Sequence, residues 1–192
     1  MYGFNGDDFI DGRGGNDLIC TSGDHNTAIG GPGDDRIEGG PDGEILVGDE
    51  YSTTGPAEGS GNDEIAGGAG QDINIGDGYS TVAAASGSGN DRLGDGDGAD
   101  VIVGDAYSPI SAIGTGTDKL TGGEGNDVEV GDALVGTPQD PVSSPEATAM
   151  GNGNDEINGF PGNRPRRRRR RGFWPRNRQL RRLGQAQWRG QR

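Results

Sequence analysis

The chain has 192 residues, 41 of them glycine, with 28% hydrophobic residues and a formal charge of −14. One cysteine, Cys20, cannot form an internal disulfide and lacks zinc-site spacing, and one histidine, His25, leaves a His-based metal site or catalytic dyad without a second member. No stretch approaches the ~20 apolar residues of a membrane span.

The charge is unevenly divided. Residues 164–192 hold 13 of the 17 basic side chains and no acidic one, so residues 1–163 carry 4 basic against 31 acidic, a net of −27. Leu, Ile, Val and Phe make up roughly 17% of that acidic part, below the ~20% at which a highly charged chain is expected to stay unfolded. Folding there requires something that gathers carboxylates, and a divalent cation is the obvious candidate. The opening "MYGFNGDD" carries no signal-peptide pattern and enters a repeat almost at once. Export by a route without an N-terminal signal, or origin in a longer protein, is the expectation.

From Gly3, blocks of nine run in register: "GFNGDDFID", "GRGGNDLIC", "TSGDHNTAI", "GGPGDDRIE" and "GGPDGEILV". Position 6 reads Asp8, Asp17, Asn26, Asp35 and Glu44; position 8 reads Ile10, Ile19, Ala28, Ile37 and Leu46. The glycines permit a tight turn, and the x-apolar-x triplet after the Asp predicts a very short strand with one side chain facing in. Two turns and two strands make one flattened coil of 18 residues, and stacked coils align their aspartates so that a cation can sit between turns. Oxygen-only ligands at such turns favour calcium over zinc or copper.

From residue 30 a longer period is superimposed. The first-block aspartates Asp35, Asp63, Asp91, Asp118 and Asp155 are separated by 28, 28, 27 and 37 residues, the excess lying in inserts at 48–57, 76–85, 104–112 and 131–149. Three inserts open "GDEYS", "GDGYS" and "GDAYS", and the fourth, "GDALV", keeps only the "GD". These inserts are predicted to be side loops, with Asp49, Asp77, Asp105 and Asp132 capping them rather than binding metal.

The two strands of a coil differ. Residues flanking position 8 are mostly polar in first blocks, as with Arg36 and Glu38, but aliphatic in second blocks: Ile45 and Val47, Ile73 and Ile75, Val101 and Val103, Val128 and Val130. Either the second strands slip by one residue, or the inserts cover their outer face through Tyr51, Tyr79 and Tyr107, or the row forms a surface for a protein partner.

Blocks such as "GGEGNDVEV" (122–130), "GGAGQDINI" (67–75) and "GGPGDDRIE" (30–38) resemble the RTX, or hemolysin-type, calcium-binding nonapeptide GGxGxDxUx over about residues 3–163. The resemblance implies an all-β fold, a calcium-dependent parallel β-roll, with calcium held between turns by the repeat aspartates and backbone carbonyls. Carried over by position, the ligands are Asp8, Asp17, Asp35, Asp63, Asp72, Asp91, Asp100, Asp118, Asp127 and Asp155. The chain departs from the pattern at Asn26, where a weak or absent site is expected, and at Glu44, whose longer arm is expected to fit less well. Asn74 and Glu129 occupy the normally apolar position 8.

Residues 164–192, "RPRRRRRRGFWPRNRQLRRLGQAQWRGQR", form a second region, expected to be disordered. The tail begins in mid-repeat: "GFPGN" (159–163) fills positions 1 to 5, and Arg164 stands where Asp belongs. Gly-Asp codons of a GC-rich gene read one frame over encode Arg, so the tail reads as an out-of-frame continuation of the repeats. A nucleic-acid partner is not expected.

No HExxH or GxSxG motif occurs and no carboxylate pair stands apart from the others, so no catalysis is expected. The reading is a calcium-binding module that folds outside the cell, part of a larger exported protein. The repeat region of an adhesin or surface-layer protein, and the accessory module of a secreted hydrolase, are the alternatives.

Overall fold

The computed structural model describes residues 1–136 and 148–159; residues 164–192 lie outside them, as do the expectations about that tail. Among the described residues there is no helix, and 21 short strands stack in parallel into four sheets.

Sheet I collects the first-block strands Leu18–Cys20, Arg36–Glu38, Glu64–Ala66, Arg92–Gly98, Lys119–Gly125 and Glu156–Gly159, with the short Ala69–Gly70 also paired to Arg92–Gly98. Sheet II takes Phe9–Asp11 and the second-block strands Thr27–Ile29, Ile45–Val47, Ile73–Ile75, Val101–Val103 and Val128–Val130. Register follows the sequence period: Phe9 pairs Thr27 and Ile19 pairs Ile37, one coil apart, and Ile45 then pairs Ile73 across the longer repeat. No second strand slips. Position 8 points inward, and Ile19, Ala28, Ile37, Leu46, Ile65, Leu93, Ile102 and Leu120 form a dry core between sheets I and II. Removing each large aliphatic from water contributes about 1.5–3 kcal/mol.

The inserts, expected as side loops, are ordered as two further sheets. Sheet III stacks Glu50–Ser52, Gly78–Ser80, Ala106–Ser108 and Ala133–Val135. Sheet IV stacks Ala57–Glu58, Ala85–Gly89, Ser111–Gly116 and Thr148–Gly151. The coil therefore widens after residue 47 from two strands to four.

This widening covers the aliphatic row, with Ile45, Ile73, Val101, Val128 and Val130 left half-buried. Val47, Ile75 and Val103 are fully buried against Tyr79, Tyr107 and Leu134, with Ile45, Ile73, Val101 and Tyr51 packed around them. The tyrosines line up along the solenoid, tilted by 37° at Tyr51–Tyr79 (ring centroids 5.2 Å apart) and stacked at Tyr79–Tyr107 (5.0 Å). The structure gives no support to a partner surface on this face, one of the sequence expectations: the inserts cover it, because each leaves directly from the end of the strand it shields. The serine after each tyrosine pins the insert's turn. Ser80 Oγ donates to the Gly55 carbonyl of the preceding coil (2.7 Å) and accepts the Ala83 N–H (2.9 Å); Ser108 repeats this with Ala83 and Ser111. Between sheets III and IV only small side chains fit, namely Ala57, Ala85, Ala106, Ala112 and Val135.

Candidate metal centre

Each position-6 side chain sits at the end of a glycine turn, where its backbone is about to enter a strand. The ten aspartates fall into two files. Asp17, Asp35, Asp63, Asp91, Asp118 and Asp155 precede the strands of sheet I; Asp8, Asp72, Asp100 and Asp127 precede those of sheet II, with Asn26 and Glu44 in the same file. The first file is continuous. The N–H of Asp17 donates to Asp35 Oδ1 (2.6 Å), that of Asp35 to Asp63 (2.7 Å), of Asp63 to Asp91 (2.8 Å), of Asp91 to Asp118 (2.8 Å) and of Asp118 to Asp155 (3.1 Å). The second does the same, Glu44 to Asp72 (2.9 Å), Asp72 to Asp100 (3.0 Å) and Asp100 to Asp127 (3.3 Å).

One oxygen of each carboxylate is thereby used and the other is left. Oδ2 of Asp35, Asp63, Asp72, Asp91, Asp100 and Asp118 is buried without a hydrogen-bond partner. Asp8, Asp17, Asp127 and Asp155, towards the ends of the files, are only half-buried. Glycine carbonyls converge on the orphaned oxygens. A methyl group on Gly48 would lie 2.2 Å from Asp63 Oδ2 and 1.7 Å from the Gly76 carbonyl; one on Gly76 would meet Asp91 Oδ2 and the Gly104 carbonyl in the same way. A side chain at these glycines would fill the space where the oxygens meet.

Burial and neighbouring carboxylates push the carboxyl groups upward. Asp35 is raised to about 6, Asp118 to about 7 and Asp63 to about 8, in each case chiefly because burial disfavours the charged form. Asp91 is raised by the same burial and by Asp118 and Asp105 close by. Such oxygen-only cradles fit a hard divalent cation, whose charge would offset both penalties.

The departures have structural reasons. Asn26 Oδ1 accepts the Asp8 N–H (2.9 Å) as an aspartate would, but its Nδ2 donates to the carbonyls of Ser22, Gly23 and Asp24 (3.1–3.3 Å). The amide thus occupies carbonyls of its own turn. Glu44, expected to fit less well, is fully buried in its turn with both oxygens unpartnered and its carboxyl pushed up to about 8 by burial.

Two sets of residues escaped the sequence reading. Asp95 replaces a position-1 glycine, and its Oδ1 accepts from Asn74 Nδ2 (2.6 Å), so the unusual Asn at position 8 is matched to the unusual Asp; Asp72, Asp95 and Asp100 can offer oxygens within 4.8 Å of one another. The insert aspartates were expected to cap loops. Instead Asp49, Asp77 and Asp105 are buried, and neither oxygen of any of them has a hydrogen-bond partner. Their signal was the constant placement of "GD" directly after each sheet II strand, which ties them to the coil rather than to the variable loop.

The model of the RTX calcium-binding nonapeptide repeat matches residues 1–19, 21–50, 59–78, 85–106 and 114–133, more than half of the chain. The chain belongs to this family. Its repeats bind calcium, and the clustered buried aspartates are the groups here suited to that ion. The longer gaps between the matched segments, 51–58, 79–84 and 107–113, coincide with the inserts to within a residue, so the match is interrupted where the inserts add sheets III and IV. No curated protein and no solved structure matches the chain. No helix among the described residues is long and apolar enough to cross a membrane.

Proposed function

We propose that calcium drives the folding of this RTX module and that the position-6 aspartates Asp8, Asp17, Asp35, Asp63, Asp72, Asp91, Asp100, Asp118, Asp127 and Asp155 are its ligands. The observation that carries this reading is the row of buried Oδ2 atoms of Asp35, Asp63, Asp72, Asp91, Asp100 and Asp118, none with a hydrogen-bond donor. Left charged and unpartnered, they oppose folding, since two like charges 4 Å apart repel by ~4 kcal/mol at an effective dielectric of 20. A cation between successive turns reverses the sign. Because it binds only the stacked coils, every site adds to stability by mass action.

Extracellular calcium modules bind at roughly 10⁻⁴ to 10⁻³ M. A chain tuned to that range stays unfolded inside a cell and folds after export, which supports the reading of a module that works outside the cell within a larger secreted protein. Far-UV circular dichroism of the full chain during a calcium titration, with magnesium as control, tests the reading. A coil spectrum should become β-sheet near millimolar calcium and revert with chelator. A β-sheet spectrum already complete without calcium would overturn it.

A further inference from the structure

The carboxylates at the mouths of the inserts lie outside the nonapeptide pattern, which has glycine rather than Asp after the position-1 glycine. Asp49, Asp77 and Asp105 stand where each chain segment leaves sheet II for sheet III, and the first-block aspartates Asp63 and Asp91 stand where it returns to sheet I. The two sets meet: Asp49, Asp63 and Asp77 can offer oxygens within 4.8 Å of one another, and so can Asp77, Asp91 and Asp105. A calcium ion with bonds of about 2.3–2.6 Å spans that separation between opposite ligands.

A cluster of acids alone proves nothing, but these side chains are 0–3% exposed and Asp49, Asp77 and Asp105 are without hydrogen-bond partners on both oxygens. Their position is enforced from behind. Gly59, just after the exit strand Ala57–Glu58, and Gly87, on the exit strand Ala85–Gly89, pack so closely that a methyl group on Gly87 would come within 2.7 Å of Asp77 Oδ2 and 2.8 Å of Asp105 Cβ, and one on Gly59 within 2.7 Å of Asp49 Oδ2. The fold thus spends glycines to press carboxylates together with no cationic side chain paired to them among the described residues, while the Gly76 and Gly104 carbonyls lie on the side of Asp63 and Asp91 Oδ2.

We propose that Asp49, Asp77 and Asp105 are calcium ligands in their own right, forming with Asp63 and Asp91 a file of three-carboxylate sites that closes the mouths of the inserts. The proposal rests on the calcium reading above and extends it to residues that the repeat motif does not contain. Asp77 belongs to both trios, so adjacent ions share it and bind cooperatively. Sheets III and IV, attached to the roll on either side of this file, are ordered by the same ions.

The number of calcium ions bound by the full chain at saturation, counted by native mass spectrometry, is compared with that of Asp77→Asn and Asp49→Asn. Asn keeps the shape and removes the charge. Asp49→Asn should lose one ion and Asp77→Asn as many as two, and both should need severalfold more calcium to reach half-folding. If the carboxylates only repel one another or share protons, the ion count stays at the wild-type value and removing a charge lowers the calcium requirement; that result overturns the proposal. Should Asp77→Asn fail to fold at the highest calcium, Asp49, in one trio at the start of the file, supplies the count. Wild type that binds no calcium sinks the broader reading instead, so the two failures are distinguishable.

Discussion

At the scale of single residues, the glycines of the motif answer to backbone geometry. The second position of a block is left-handed, with φ 96° at Gly31 and 105° at Gly68. Arg13 occupies that position in its own block with φ 77°, a conformation that costs a residue with a Cβ of order 1–3 kcal/mol. Part of the gain from removing the Cβ is lost to the greater freedom of glycine in the unfolded chain. Arg13→Gly should therefore stabilise the calcium-loaded fold by about 1 kcal/mol, read as a higher midpoint of urea unfolding. An unchanged or lower midpoint would mean that the Arg side chain contributes more than its backbone costs. Nothing at Arg13 reports on calcium, so the ion count should not move.

At the scale of elements, the inserts act as a third wall. Val103 is fully buried on the outward side of sheet II against the tyrosine stack, with Tyr79 and Tyr107 both nearly or fully inaccessible. Val103→Ser leaves a void and buries a hydroxyl, and should cost about 2–3 kcal/mol. The change should appear as a lower thermal midpoint in calcium, with weaker near-ultraviolet tyrosine dichroism and an unaltered monomer-or-oligomer distribution by light scattering. A shift in oligomeric state with no loss of stability would restore the idea of a surface open to a partner. The tyrosines themselves show how dry the layer is: burial pushes the Tyr79 hydroxyl up to about 12.

For the whole molecule, the proposed calcium sites make protons and calcium compete for one population of carboxylates. Their unfolded values lie near 3.8, and burial raises Asp35 to about 6, Asp118 to about 7 and Asp63 to about 8 in the fold. A group with a raised folded pKa stabilises the fold below its unfolded pKa, and that contribution is lost as pH rises through the folded one. Without calcium, β-sheet content should therefore grow as pH falls from about 8 towards about 4. With saturating calcium the sign reverses, because the ions need deprotonated ligands and acid expels them. Thermal melts across that range in calcium-free and calcium-saturated buffer check both signs. A calcium-free chain that gains no structure on acidification would show that carboxylate repulsion is not what holds it open.

Much of this was legible beforehand because the information is local. A glycine turn, an Asp and an x-apolar-x triplet settle the conformation of nine residues without reference to the rest of the chain, and their recurrence determines the stacking, the inward position 8 and the two files of position-6 carboxylates. Position 8 of Ile37 or Leu93 needed no tertiary knowledge. The role of the inserts did. Whether Val103 faces solvent, a partner or Tyr107, and whether Asp77 caps a loop or meets Asp63 and Asp91, depends on how each insert folds back on its coil and stacks on the next, which the nonapeptide period does not specify. A two-residue "GD" reads alike in a surface loop and in a buried cradle. Only the widening of the coil from two strands to four, which presses the glycines of each returning segment against the insert aspartates, decides that these carboxylates are buried.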